Sequence, residues 1–245
     1  MSRRSFLLAT AFLLILIGGT GSALIWMLRY EMPWYVQAAV PPGKLREDLS
    51  REFYKEFFDL LNSVGEKEWG ARFTDQQINS YFEEGFIQSG LNTRLLPEQV
   101  SHPRVVIEPD RLHLAFRYGS GTWSTLISVD FRIYLIRSET AVAMELEGFR
   151  AGALPISAQS LLERISESEV WQQNGMEVTW YRHPVNGHPV AVLRFQAYQQ
   201  RNSIQLDALQ LEKGAIAVRG KSTDLAGETL RTMLMLPGRL RTEAE

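Results

Sequence analysis

The chain has 245 residues, 45% hydrophobic and 22% charged, with a formal net charge of −2 and no cysteine. That balance leaves no basic footprint for nucleic acid, and the missing thiols exclude a disulfide framework, a cysteine-based zinc site and a lipidated cysteine. The absence of cysteine fits either side of a membrane.

Arg3 and Arg4 open the chain, ahead of an apolar run from Phe6 to Leu28 in which Thr10, Thr20 and Ser22 are the only polar side chains. A run of roughly 23 residues at about 1.5 Å each spans about 34 Å, enough to cross a hydrocarbon core with slight tilt. Trp26, Tyr30, Trp34 and Tyr35 cluster at its far end as an aromatic belt would. Gly21 and Ala23 have the spacing of a processing site, but the apolar run continues beyond them and exceeds a signal h-region of about 7–15 residues. The expectation is an uncleaved anchor over 6–28, with a cytoplasmic tail at 1–5 on the positive-inside rule. Pro33, Pro41, Pro42 and Gly43 mark 29–44 as a juxtamembrane linker. The body, 45–245, is then extracytoplasmic, and the expected address is a bacterial inner membrane crossed once.

The body opens on a helix over 45–64, where Leu45, Leu49, Phe53, Phe57, Leu60, Leu61 and Val64 recur at helical spacing as a core-facing stripe. A second helix is expected over 75–89. Thr74 and Gln77 have capping-box spacing, Ile78, Tyr81, Phe82 and Phe86 form one face, and Gly90 supplies the stop. From Val100 the period becomes two. Val105 and Ile107 lead to a turn at Pro109-Asp110, Leu112 to Tyr118 alternate, and Gly119-Ser120-Gly121 turns the chain again. Trp123, Thr125, Ile127, Val129, Phe131, Ile133 and Leu135 then share one face, and Val142, Met144 and Leu146 repeat the pattern. These strands, about 8–13 residues against a usual 5–6, predict an antiparallel meander with one apolar face. A third helix is expected over 157–168. Asn186-Gly187 signals a hairpin, a phase change between Ala208 and Leu209 signals a bulge or the end of a strand, and Ile216 and Val218 make a last strand. Leu230, Met233, Leu234 and Leu236 form a tail that covers the sheet. The fold class is α+β: an N-terminal transmembrane helix, then a long-stranded, twisted antiparallel sheet packed with two or three helices.

Phe73-Thr74-Asp75-Gln76-Gln77-Ile78-Asn79-Ser80-Tyr81 resembles the segment that opens a helix in YpmS-like single-pass bacterial envelope proteins. Gly152-Ala153-Leu154-Pro155 resembles a Leu-Pro step in the same proteins, and the order of anchor and meander is similar. The resemblance implies an envelope protein and supplies no catalytic residue. By fold analogy, long strands wrapped around a helix are also similar to tubular lipid-binding proteins.

The candidate chemistry is thin. Across a two-residue turn at Asn186-Gly187, His183 and His188 are diagonal neighbours with no third metal ligand nearby, and His102 and His113 read as surface residues. Glu83-Glu84 and Glu145/Glu147 are close pairs, the latter in solvent-facing strand positions, whereas acid–base catalysis needs two groups in contrasting environments. No phosphate loop or nucleophile elbow is present. Asn79 reads as a cap or as a bridge from helix to sheet. The sequence therefore predicts neither catalytic residues, nor a metal, nor a cofactor. It predicts a non-enzymatic protein that shelters a lipid or other apolar ligand in a groove lined by Tyr81, Phe82, Phe86, Ile127, Val129 and Phe131. The alternative is a body that docks a protein partner in an envelope assembly.

Overall fold

The apolar run becomes a single helix, α1 (Arg3–Leu28), long and apolar enough to cross a membrane, with its apolar window wholly unburied. The computed structural model describes residues 3–63, 67–137, 141–157, 177–194 and 202–224. Nearly all of the expected helix over 157–168 and the apolar tail at 230–236 lie outside the described residues.

The body is α+β. Two short helices and one long one lead in: α2 (Pro33–Gln37), α3 (Lys44–Ser63) and, after strand β1 (Glu68–Thr74), α4 (Asp75–Glu83). The Thr74 hydroxyl accepts from Gln77 N–H at 3.1 Å while Gln77 Oε1 accepts from Thr74 N–H at 2.8 Å, closing the expected capping box. The helix expected over 75–89 breaks at Glu84, giving α5 (Gly85–Gln88) and α6 (Leu91–Leu95). The break has a local cause: Glu84 pairs with Arg46 on α3 at 2.5 Å, and Gly85 N–H donates to Ser50 Oγ at 3.3 Å, turning the chain toward α3.

The meander follows as β2 (Val100–Glu108), β3 (Arg111–Tyr118), β4 (Thr125–Ile136) and β5 (Ala141–Ala151), all antiparallel neighbours. A two-residue β6 (Leu154–Pro155) returns on β5. The far edge of this sheet is the hairpin β7 (Glu177–Arg182) and β8 (Pro189–Arg194), with β8 beside β5. A second sheet, in the order β1, β10 (Ala215–Asp224), β9 (Asn202–Glu212), joins strands from opposite ends of the chain. Between Leu206 and Ala208 the β9–β10 register skips Asp207, a bulge just ahead of the phase change at Ala208 and Leu209. It lets Leu206, Leu209 and Leu211 reach one core.

The sheets pack face to face, with Ile107, Ile133 and Val142 of the larger against Leu206 and Leu211 of the smaller. Sequence reading anticipated one sheet; the strand it passed over is β1. The alternation of Trp69, Ala71 and Phe73 against Glu68, Gly70 and Arg72 carries its period-two signal.

Candidate functional site

The body makes direct hydrogen bonds to the place where α1 ends. The four C-terminal carbonyls of a helix have no partner within it. Here the body reaches two of them: Ala153 N–H donates to Met27 O at 2.8 Å, and the Thr125 hydroxyl donates to Leu28 O at 2.6 Å. Gly152 makes the approach possible. It sits at φ +57°, and a Cβ built on it would fall on the Met27 carbonyl oxygen and lie 2.6 Å from that of Leu28. The Gly-Ala-Leu-Pro step singled out in the sequence is thus the turn that receives the helix end.

Residues 29–44, expected as a linker, lie along the larger sheet. Met32 and Tyr35 are buried with Ala115 and Leu126, and Tyr35 is only 1% exposed. Each such side chain contributes about 1.5–3 kcal/mol by leaving water. The Tyr35 hydroxyl donates to His102 O at 2.8 Å, the Arg104 guanidinium lies 4.4 Å over its ring, and Arg104 Nη1 donates to Tyr35 O at 3.0 Å. Glu31 pairs with Arg117 at 2.5 Å. Tyr35 therefore leaves the aromatic belt that the sequence suggests and becomes a core residue. Its carbonyl partner His102 takes φ +48° within a register shift of β2, just before Pro103, a strained position for a non-glycine residue on an edge strand.

Asn79 locks the same region from α4. Its Oδ1 accepts from Val105 N–H at 2.7 Å, its Nδ2 donates to Val105 O at 2.8 Å, and Nδ2 reaches Ala38 O at 3.4 Å. The amide occupies the free edge of β2 as another strand would, which is the bridge from helix to sheet that the sequence suggests.

His113, read as a surface residue, is half-buried beneath this segment. Its ring centroid is 5.8 Å from that of Trp34 and its Nδ1 is 2.7 Å from Asp130 Oδ1. The bond to Asp130 raises its pKa above the ordinary imidazole value, burial opposes that, and Glu108 adds to the rise. A raised folded-state pKa stabilises the fold fully below the unfolded value of about 6.5, and that contribution is lost as pH rises through the folded value. We expect an NMR titration of His113 to fall on the alkaline side of a free imidazole, and His113→Asn to flatten the decline in melting temperature on the alkaline side of neutrality. An unshifted titration would remove the Asp130 contact from the account.

An open cleft of about 650 Å³ lies farther along the same face, lined by Asp110, Arg111, Arg132, Tyr134, Glu145 and His183 among others. Glu145, expected in solvent, is 2% exposed because the β7–β8 turn closes over it. Burial acts to raise its pKa. Asn186 Nδ2 at 2.6 Å and His188 Nδ1 at 2.9 Å, together with the charges of His183 and Arg132, outweigh that and hold the carboxyl below its ordinary range. The turn is longer than two residues: His183 N–H donates to His188 O and Gly187 N–H to His183 O, so the two histidines stand opposite each other and His188 turns to Glu145. Pro184, which has no N–H, disfavours the tighter pairing. Burial and the Tyr181 hydroxyl 3.4 Å away push the Tyr134 phenol up to about 12. Arg111 and Arg132 both pair with Glu147, at 3.1 and 2.6 Å. Arg111, Arg132 and Glu145 in this cleft already have partners, and its polar lining does not suit an acyl chain. No group of three or more His, Asp or Glu side chains that could hold a metal occurs among the described residues.

The six groove residues fall in two places. Tyr81, Phe82 and Phe86 form an aromatic cluster in which Tyr81 meets Phe53 of α3 at 4.8 Å between centroids. Ile127, Val129 and Phe131 lie on β4, with Val129 buried and Phe131 packed into the core between the sheets. A smaller cleft of about 410 Å³, lined in part by Trp34, Val40, Pro41, Leu45 and Leu49, lies beside α2 and involves none of the six. Comparison with protein families, with curated proteins and with solved structures returns no match.

Proposed function

We propose that this chain is a non-enzymatic, single-pass protein of a bacterial inner membrane, anchored by α1 with its body outside the cytoplasm, and that the body docks a protein partner in a cell-envelope assembly. Arg3 and Arg4 ahead of the apolar run support the orientation. The observation that carries the docking reading is an exposed stripe on α3. Tyr54, Phe57, Phe58 and Leu61, spaced i, i+3, i+4 and i+7, are 52, 41, 43 and 54% exposed. The sequence pattern assigned Phe57 and Leu61 to the core, but among the described residues α3 is covered on one side only, by α4, α5 and β1.

The stripe is also turned away from the anchor. α3 and α4 run antiparallel, with Arg46 at Glu84, Phe53 at Tyr81 and Glu56 at Gln77. The start of α4 is tied through Asp75 and Gly214 to Ile107. Ile107 is at the opposite end of β2 from Val100, which pairs with Tyr118 and, through it, with Thr125 at the end of α1. Seven residues of strand separate the two ends by about 23 Å. An apolar patch at that remove from the anchor suits a protein partner better than the bilayer.

The test is photocrosslinking in intact cells from positions 54 and 58, with exposed Glu52 as the control. A discrete protein adduct is expected from 54 and 58, not from 52, and is expected to disappear on Phe57→Asp. The second reading, an apolar ligand such as a lipid, is favoured by the cleft beside α2. Absence of any adduct, with a stoichiometric lipid on the full-length chain in native mass spectrometry, would transfer the conclusion to it.

A further inference from the structure

The most exposed tryptophan near the end of α1 belongs to the body. Trp123, in the turn between β3 and β4, is 85% exposed. It stands two residues before Thr125, whose hydroxyl donates to Leu28 O. Tyr118, the partner of Thr125 on β3, is 44% exposed, and Ile156, just past the turn whose Ala153 N–H donates to Met27 O, is 36% exposed. On the helix itself Trp26 and Tyr30 are exposed. Direct hydrogen bonds thus hold apolar groups of the body at the level where α1 leaves its apolar run.

An indole has an apolar ring and one N–H donor, which suits it to the layer between hydrocarbon and water. That layer is about 5–8 Å deep on each side of the core. Two residues of extended chain span about 7 Å, so Trp123 stands within one side chain's reach of the layer entered by Trp26 and Tyr30. We propose that the β3–β4 turn seats Trp123 in the bilayer interface, giving the body a second contact with the membrane beside the anchor. The occupant is the bilayer because these groups are continuous with α1 through hydrogen bonds to its last carbonyls. The proposal rests on the anchor reading above.

The lack of cysteine allows an unambiguous test. Full-length chains carrying Ser120→Cys, Lys213→Cys or Ile17→Cys are labelled with an environment-sensitive fluorophore and reconstituted in phosphatidylcholine–phosphatidylglycerol vesicles. The vesicles contain nitroxide-bearing lipids, with the spin label on the headgroup or in mid-chain. Ser120 is exposed in the same turn and leaves Trp123 in place; Lys213 is exposed in the β9–β10 turn at the Ile107 end of the sheet. The label at 120 is expected to be blue-shifted and quenched by the headgroup nitroxide at least twofold more than the label at 213, and Trp123→Ser is expected to abolish the difference. The label at 17 is expected to be quenched by the mid-chain nitroxide. If 17 is deep but 120 behaves as 213 does, or Trp123→Ser changes nothing, the proposal is overturned and the anchor stands. If 17 is not quenched, the anchor reading fails and takes the proposal with it.

Discussion

Gly152→Ala is expected to detach the end of α1 from the body. Two costs combine at this residue. A Cβ at φ +57° costs about 1–2 kcal/mol in any L-residue other than glycine. The same Cβ would occupy the position of the Met27 carbonyl oxygen, so the turn must withdraw, giving up the Ala153 bond to Met27 O. Withdrawal removes the body's hydrogen bond to the helix end and strains the seat of Met32 and Tyr35, for a total of about 3–5 kcal/mol against the docked state. Gly187→Ala separates the two costs. Gly187 has φ +72° with nothing within 4 Å of a built Cβ, so only the backbone penalty applies there. Hydrogen exchange on the full chain in nanodiscs reads the outcome. The amides of Ala153 and Tyr35 are expected to lose protection in Gly152→Ala and to keep it in Gly187→Ala. Equal behaviour of the two variants would mean that the turn does not bear on the helix end.

The second large effect belongs to Asn79. Replacing it with alanine strips one donor and one acceptor from the Val105 peptide in a buried site, at about 1–3 kcal/mol for each unsatisfied group. We expect Asn79→Ala to lower unfolding stability by about 2–4 kcal/mol and Asn79→Asp to lose at least as much near neutral pH, since a carboxylate then faces the Val105 carbonyl. A free β2 edge also invites strand pairing between chains, so the alanine variant is expected to aggregate at lower denaturant than its parent. Urea unfolding followed by circular dichroism measures the first effect and light scattering the second. An unfolding free energy within about 0.5 kcal/mol of the parent's is incompatible with the bridge.

Much of the fold is legible in the residues because its signals are local. The Thr74/Gln77 box, the turn at Pro109-Asp110 and the alternation of β3 to β5 each depend on a few neighbouring side chains and appear where the pattern puts them, and the β9 bulge falls at Asp207, just ahead of the phase change at Ala208 and Leu209. What escaped depends on partners distant in sequence. Nothing near Tyr35 announces that Ala115 and Leu126 leave room for its ring, so an aromatic after an apolar run reads as an interfacial belt. Glu145 occupies a strand position that looks solvent-facing until the hairpin of Asn186 and His188, forty residues on, closes over it. Phe57 and Leu61 look like core because helical periodicity reports that a stripe exists, not whether anything covers it. Gly152 was visible as part of a motif, but its φ of +57° and the carbonyl of Met27 are what explain why the residue is glycine.

The seating of residues 29–44 on the sheet has a mechanical consequence. A tethered domain on a loose neck points in all directions, whatever its anchor does. Here Met32 and Tyr35 seat the neck on the sheet and two hydrogen bonds hold the helix end, so a lean of the helix is passed to the body. A spanning helix longer than the local hydrocarbon thickness accommodates by leaning, by about 20° on average. Over the roughly 23 Å from Leu28 to the Ile107 end of the sheet, that lean carries the far end sideways by about 8 Å. With α1 as the anchor proposed above, the thickness of the surrounding lipid would set where the aromatic stripe of α3 points.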